Sequence, residues 1–272
     1  MKTAEISNLD MLSPDNLEHI RSSKQVRMGI AKQSLIGFMH LYFPEYITRP
    51  TAPFHHEMYG LLEDEVIDHL VLMAFRGSGK STIVTLGYPI WAALGALSKK
   101  FILIASQTQP QAQQHLKNIK REFESNELLR KDFGPLNEIA DEWGSVSLVL
   151  PKFDARVTAV SVEQSIRGVR HGPHRPDLII ADDVEDTNSV KTREGRNKVW
   201  EWYTGEVVPA GDTNTKRVVV GNLLHEDSLL MRLKEAFELR LMQGIFRSYP
   251  VVKQGQPLWR GKYPDKEALR RE

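Results

Sequence analysis

A mainly parallel β-sheet covered by helices on both faces is the α/β architecture this sequence predicts, on two observations. Short, near-continuous apolar runs (His69–Met73, Phe101–Ala105, Leu178–Asp182 and Arg217–Asn222) alternate with longer stretches of helical spacing. Runs apolar on both faces are what strands buried between two helical layers require. The second observation is the stretch Ala74-Phe75-Arg76-Gly77-Ser78-Gly79-Lys80-Ser81-Thr82, which follows the first run and leads into Ile83-Val84-Thr85-Leu86. Strand, glycine-bearing turn and Gly-Lys-Ser opening a helix form the context of a phosphate-binding P-loop. The glycines let the backbone curl so that N–H groups converge, and the helix N-terminus adds its positive end. Ala74 stands where the usual pattern has its first glycine.

Taken in order, residues 1 to about 27 are polar, with a capping signal at Ser13-Pro14-Asp15 ahead of Leu17 and Ile20. Apolar residues then recur at helical spacing from Met28 to Phe43 (Ile30, Leu35, Ile36, Met39, Phe43), until Pro44 and Pro50 interrupt them. We read residues 1–50 as a helical N-terminal appendage and 51–272 as the P-loop core with a C-terminal helical segment. A short helix from Pro53 through Leu62 leads to the first strand. Its adjacent His55 and His56 suggest packing or adenine contact rather than metal, because neighbours in sequence seldom share a ligand direction. The P-loop helix is expected to kink near Pro89 and end near Gly95. After the second strand comes a Gln- and Lys-rich helix from Pro110 to about Arg130, then strands at Val146–Leu150 and Ala155–Val160. A basic loop, Ser165-Ile166-Arg167-Gly168-Val169-Arg170-His171-Gly172, precedes the Leu178–Asp182 strand. Ser189 is read as the cap of a helix carrying Trp200, Trp202 and Tyr203, and Asp227 to about Leu241 as a last long helix.

The P-loop implies a nucleoside triphosphate with Mg²⁺. Residues Arg76, Gly77, Ser78, Gly79, Lys80, Ser81 and Thr82 would line its phosphates. Lys80 would reach the β- and γ-phosphates and the Ser81 hydroxyl would coordinate the metal. Asp182, at the carboxyl end of an apolar strand, is the second metal-side group. Hydrolysis also needs an acid to orient water. Asp183 is favoured for this, with Glu185 as the alternative. Arg76, inside the P-loop, and Arg167, in the basic loop, are the candidates for further positive charge on the transferring phosphoryl group. Asn222, at the end of a strand expected beside the P-loop, is the candidate γ-phosphate sensor.

Composition restricts the classes. The 272 residues are 41% hydrophobic and 26% charged, as in an ordinary globular protein. A net charge of +1 says nothing of nucleic acid, since local clustering decides that. With no cysteine there are no disulfides or thiolate metal sites. No apolar run approaches membrane-spanning length and the N-terminus is not a signal peptide, so a soluble intracellular protein is expected.

With its motifs in this order, the chain resembles the ATPase domain of the large terminase subunit of tailed bacteriophages, from about Tyr42 to about Leu233. The matching pieces are Phe54-His55, Arg76 within the P-loop, Lys80-Ser81-Thr82 and Tyr88-Pro89, then Ser165-Ile166-Arg167-Gly168, Arg175-Pro176-Asp177-Leu178-Ile179-Ile180, Asp182-Asp183 and His225-Glu226-Asp227. Ala74 and Asn222-Leu223-Leu224 depart from the pattern. The resemblance implies a motor that threads double-stranded DNA into a procapsid in the cytoplasm of the infected host, with Arg167 offered to a neighbouring subunit's ATP. It implies the portal protein and the small terminase subunit as partners, no membrane, and a homo-oligomeric ring on assembly from a chain that is monomeric in isolation. The family's nuclease domain is not expected within these residues. The competing readings are a P-loop helicase or other nucleic-acid translocase, and a nucleotide-binding assembly module that has lost hydrolysis.

Overall fold

The chain's computed structural model describes residues 20, 22–136 and 143–271, so the Ser13-Pro14-Asp15 signal lies outside the described residues. Helical spacing from Met28 to Phe43 resolves into two helices, α1 (Lys24–Gln33) and α2 (Leu35–Tyr42). Ser34 causes the break. Its hydroxyl accepts the Gly37 N–H at 3.2 Å and so caps a new helix in place of continuing the old one. Helix α3 (Pro53–Glu63) begins on Pro53, whose missing N–H is no loss in a first turn.

Strand β1 (His69–Ala74) leads into the P-loop. The helix after it winds with a widened, π-type spacing over Thr82–Gly87 before continuing as α4 (Tyr88–Leu94). The expected irregularity at Pro89 is this widened turn. The same device recurs at Tyr203–Val207, just ahead of Pro209, between α7 (Arg193–Trp202) and α8 (Val208–Ala210). In both places a proline that cannot donate follows a stretch whose hydrogen-bond ladder has slipped to accommodate it. The N-cap of α7 is Thr192, which accepts the Gly195 N–H at 3.0 Å. Ser189, expected there, instead closes a turn on Asp186.

The other strands of the central sheet are β2 (Phe101–Ser106), β3 (Ser147–Leu150), β4 (Ala155–Ser161), β5 (Leu178–Asp182), β6 (Lys216–Gly221) and β7 (Ile245–Tyr249). They form one seven-stranded sheet in the order β3-β4-β2-β5-β6-β1-β7. Only β3 runs antiparallel to its neighbour. The predicted fold class, a mainly parallel sheet flanked by helices, is the one observed. Strand β7 is absent from the sequence reading. As an edge strand, Ile-Phe-Arg-Ser-Tyr buries only Tyr249 and lacks an apolar run. The polar helix divides into α5 (Gln109–Ser125) and α6 (Glu127–Phe133), and the long helix shortens to α9 (Leu229–Glu238).

Alternate residues of the central strands face two apolar layers. Ile102, Ile104, Leu178, Ile180, Val218 and Val220 face α2–α5. Leu103, Ala105, Ile179, Ala181 and Val219 face α7 and α9. Residues 31–43 lie in the first layer: Trp91 donates to the Ala31 carbonyl at 2.7 Å, and Phe38, Tyr42 and Phe133 pack ring against ring. Gly87 permits this contact, since a Cβ there would lie 2.0 Å from Met39 Sδ. Lys216, at the start of β6, donates to the carbonyls of Leu61, Leu62 and Asp64 at 2.7–2.9 Å, closing the α3 C-terminus. Burial lowers its pKa to about 8. Among the described residues no helix is long and apolar enough to cross a membrane.

A buried ion pair fastens α1 to α6. Arg27 meets both Asp132 oxygens at 2.8 Å, and the Tyr42 hydroxyl donates to the same carboxylate at 2.8 Å. Burial alone would raise the Asp132 pKa, but the bonds from Arg27 and Tyr42 hold it below its ordinary value. Asp132→Ala removes the buried carboxylate that Arg27 and Tyr42 share and is expected to cost about 3 kcal/mol in urea unfolding. Because the native carboxylate has the lower pKa, the parent keeps this contribution above about pH 4 and loses it as pH falls further. A denaturation series over pH measures both.

Candidate active site

Parallel pairing of β1, β6 and β5 brings their carboxyl ends to one edge of the sheet, where ligands of open α/β sheets bind. Beyond β1 the chain curls through Gly77 (φ +73°) and Gly79 (φ +83°), a left-handed backbone that other residues adopt only under strain. The loop is closed by Ser78 N–H on the Phe75 carbonyl (3.2 Å), and the helix starts with Ile83 N–H on Gly79 (3.0 Å). Ser78 is buried, Gly79, Ser81 and Thr82 are half-buried, and Arg76 and Gly77 are exposed. Lys80 is 6% exposed and donates to Asn222 Oδ1 at 3.2 Å, so the end of β6 meets the P-loop lysine directly.

His55 holds the loop from below. The Ala52 N–H donates to its Nδ1 at 3.0 Å, which leaves the ring proton on Nε2 to donate to the Ser78 carbonyl at 2.8 Å. Burial lowers the His55 pKa to about 4, consistent with this neutral tautomer. His55 also lines a cleft beside Gly79 and Thr82, shared with Tyr46, Arg49 and Trp259.

Strand β5 is separated from β1 by β6, so Asp182 reaches the P-loop element through a side chain of the following helix. Thr85 Oγ1 donates to Asp182 Oδ2 at 2.6 Å, and His115 Nε2 of α5 lies 3.7 Å from the same oxygen. Asp182 is 1% exposed, and its Oδ1 is buried with no hydrogen-bond partner. Asp183 follows in a left-handed conformation (φ +47°), its N–H on the Val220 carbonyl at 3.1 Å and its side chain exposed. Partial loss of hydration at the strand end and then the Asp182 charge raise its pKa, while Lys80, His115 and Arg76 pull it back. Glu185 is turned elsewhere. Both its oxygens accept the Leu229 N–H, at 3.0 and 2.9 Å, at the start of α9. Burial raises its pKa despite that bond.

Arg167 sits apart from this cluster, 61% exposed, with its guanidinium on the Gly205 carbonyl and 3.3 Å from Glu206. Glu206 also accepts from Ser165 Oγ and the N–H groups of Ile166 and Arg167, at 2.8–3.3 Å, bracketing the whole turn. Asp227 binds Arg196 and Arg232 at 2.7–2.9 Å and ties α7 to α9.

A triphosphate with Mg²⁺ fits these residues. Mg²⁺ usually takes one or two carboxylates, substrate phosphates and water rather than an all-protein cage. The buried, unpartnered Asp182 oxygen beside a glycine loop, a lysine and two hydroxyl-bearing residues supplies such a set. Among the described residues no group of three or more His, Cys, Asp or Glu side chains is placed to hold a metal alone. The sequence reading did not include Thr85, His115, Glu206 or the anchoring role of His55. Thr85, four residues after Ser81, offered a weak periodic signal; the others depend on tertiary contacts. For His55, nitrogen-15 NMR is expected to show an Nε2-protonated ring titrating near pH 4. Since its native pKa lies below the ordinary value of about 6.5, acidification from about 6.5 to about 4 progressively removes stability.

No family model matches the chain, and no curated protein matches it. Solved structures do share its fold. The HK97 bacteriophage large terminase superposes with a TM-score of 0.56 at 18% identity, over 82% of this chain and 44% of that one. The large terminase ATPase domain of Thermus phage P74-26 superposes with a TM-score of 0.51 at 12% identity, over 82% of this chain and 88% of that domain. The chain therefore spans less than half the length of the HK97 protein. The resemblance seen in the motifs extends to three dimensions: the chain has the fold of the phage large-terminase ATPase domains.

Proposed function

We propose that the chain is a Mg²⁺-dependent ATPase, the motor domain of a phage large terminase that drives double-stranded DNA into a procapsid. The observation that carries the ATPase reading is the buried Asp182 carboxylate, bonded to Thr85 on one oxygen and unpartnered on the other, at the sheet edge where Lys80 meets Asn222. Gly77, Ser78, Gly79 and Thr82 cradle the phosphates, Lys80 and Arg76 neutralise them, and the adenine enters the cleft beside His55. Ser81 and Asp182 hold the metal. When bound, Mg²⁺ neutralises charge that develops on the β- and γ-oxygens.

Asp183 orients the attacking water. It is exposed at the strand end beside the metal-side acid, whereas Glu185 already serves the N-terminus of α9. Asn222 senses the γ-phosphate through the lysine it already touches. Arg167 acts on a neighbouring subunit. It is exposed, and its polar partners are Gly205 and Glu206 rather than its own P-loop. Hydrolysis then depends on assembly into a ring, with DNA, the portal protein and the small terminase subunit as partners in the host cytoplasm. These partners rest on the terminase fold and on the motif order.

The two acids separate by mutation. Asp183→Asn is expected to bind ATP normally and lose about a hundred-fold in turnover. Glu185→Gln should keep most of its turnover and its thermal stability, because burial already disfavours the charge and an amide oxygen still accepts the Leu229 N–H. Phosphate-release rates and thermal melts of both variants check this, and the reverse pattern would transfer the water-orienting role to Glu185.

A further inference from the structure

The basic loop is longer than Arg167 requires. From Gln164 to Pro176 it carries Arg167, Arg170, His171, His174 and Arg175, and no acid. Its second half is a tight hairpin. The N–H groups of His171 and His174 each donate to the other's carbonyl, at 3.0 and 2.9 Å, and Gly172 (φ +54°) with Pro173 makes the tip. The Nε2 atoms of His171 and His174 lie 3.6 and 3.4 Å from the two oxygens of Asp154. The His171 ring stands 6.3 Å from that of buried Phe101, so the hairpin is held against the sheet. Arg170 and Arg175 flank the two histidines and are exposed. Both line a cleft with Lys99, just ahead of β2, and Asn214, just ahead of β6. Because these strands run parallel to β1, the cleft lies at the edge of the sheet opposite the P-loop. Among the described residues, Lys99, Arg170 and Arg175 have no side-chain hydrogen bond or ion pair. Asp177 and Asp212 also line the cleft. Asp177 accepts the N–H groups of Lys100 and Phe101 at 2.7 and 2.9 Å, and Asp212 that of Asn214 at 2.9 Å, so both serve the backbone rather than the cations.

We propose that the hairpin over 170–175, together with Lys99, is a docking surface for the phosphate backbone of duplex DNA. The inference rests on the DNA reading above and gives it a place on the chain. Guanidinium forks match phosphate oxygens, and cations that neutralise backbone phosphates gain affinity by releasing counterions. The Asp154 contacts and the paired backbone fix where the two arginines stand before DNA arrives, so less freedom is lost on binding. No Phe, Tyr or Trp lines the cleft, so it has no platform for the unpaired bases of a single strand. Contacts of this kind set the position of the duplex without reading its sequence.

Fluorescence anisotropy of the full chain with a labelled duplex, over a salt series, tests this. The variants are Arg170→Ala with Arg175→Ala, Arg170→Lys with Arg175→Lys, and Lys117→Gln. Lys117 is an exposed cation of α5, on the other layer of the sheet. The double alanine variant is expected to bind the duplex about tenfold more weakly. It should also flatten the slope of log affinity against log salt by about 2, one for each lost phosphate contact. A loss of fold would not produce that change of slope, and melting temperature and ATPγS affinity should stay those of the parent. The double lysine variant keeps the charge and should retain most of the slope, and Lys117→Gln should change neither affinity nor slope. Parent-like affinity and slope in the double alanine variant, or an equal loss per charge from Lys117→Gln, would overturn this surface while leaving DNA as a partner. A single strand held more tightly than the duplex through the same arginines would overturn the duplex assignment. A parent that binds no DNA would overturn both the surface and the DNA reading.

Discussion

The hydrogen bond from Thr85 to the buried Asp182 joins the helix of the P-loop to a strand two places away in the sheet. Much of the candidate site depends on that connection. Parallel pairing alone brings the ends of β1, β6 and β5 to one edge, but β6 stands between the glycine loop and the acid. A hydroxyl one turn into the helix crosses the gap, and Lys80 meets Asn222 on the intervening strand. The result is a lysine, an amide and a carboxylate fixed at the ends of three neighbouring strands. Pre-organisation of this kind lowers the reorganisation required when charge develops on a phosphoryl group.

Around this centre, several polar groups are already committed to structural hydrogen bonds, which supports the proposed roles of those that are not. His55 commits both ring nitrogens between the α3 start and the Ser78 carbonyl, which keeps it neutral and holds the loop. Glu185 commits its carboxylate to α9 and Asp227 its own to two arginines, leaving Asp183 as the acid of this turn that faces solvent beside Asp182. Glu206 does similar work at the rim by holding the turn that carries Arg167. In the proposed site, residues of this kind set where the phosphate-binding groups can stand.

The central strands and the P-loop were legible because their signals are local: apolar runs for buried strands, and glycines with lysine for the loop. Strand β7 was not, since an edge strand with Arg247 and Ser248 exposed has no apolar run to read. Ser34 split a helix that periodicity had joined, because a hydroxyl can cap as well as continue. Ser189 and Thr192 competed for one cap, and only the hydrogen bonds distinguish them. Asp182 and Lys80 could be picked out from spacing. Thr85, His115 and Glu206 acquire meaning only when segments far apart in sequence meet.

The most direct measurement is phosphate release from ATP and Mg²⁺ as a function of protein concentration, with and without duplex DNA, for the parent and Lys80→Ala. A P-loop ATPase completed by a neighbour's Arg167 predicts slow release at low concentration, a specific activity that rises with concentration or with DNA, and none from Lys80→Ala. Release that persists in a folded Lys80→Ala chain, or a parent that releases no phosphate under any of these conditions, would contradict the account.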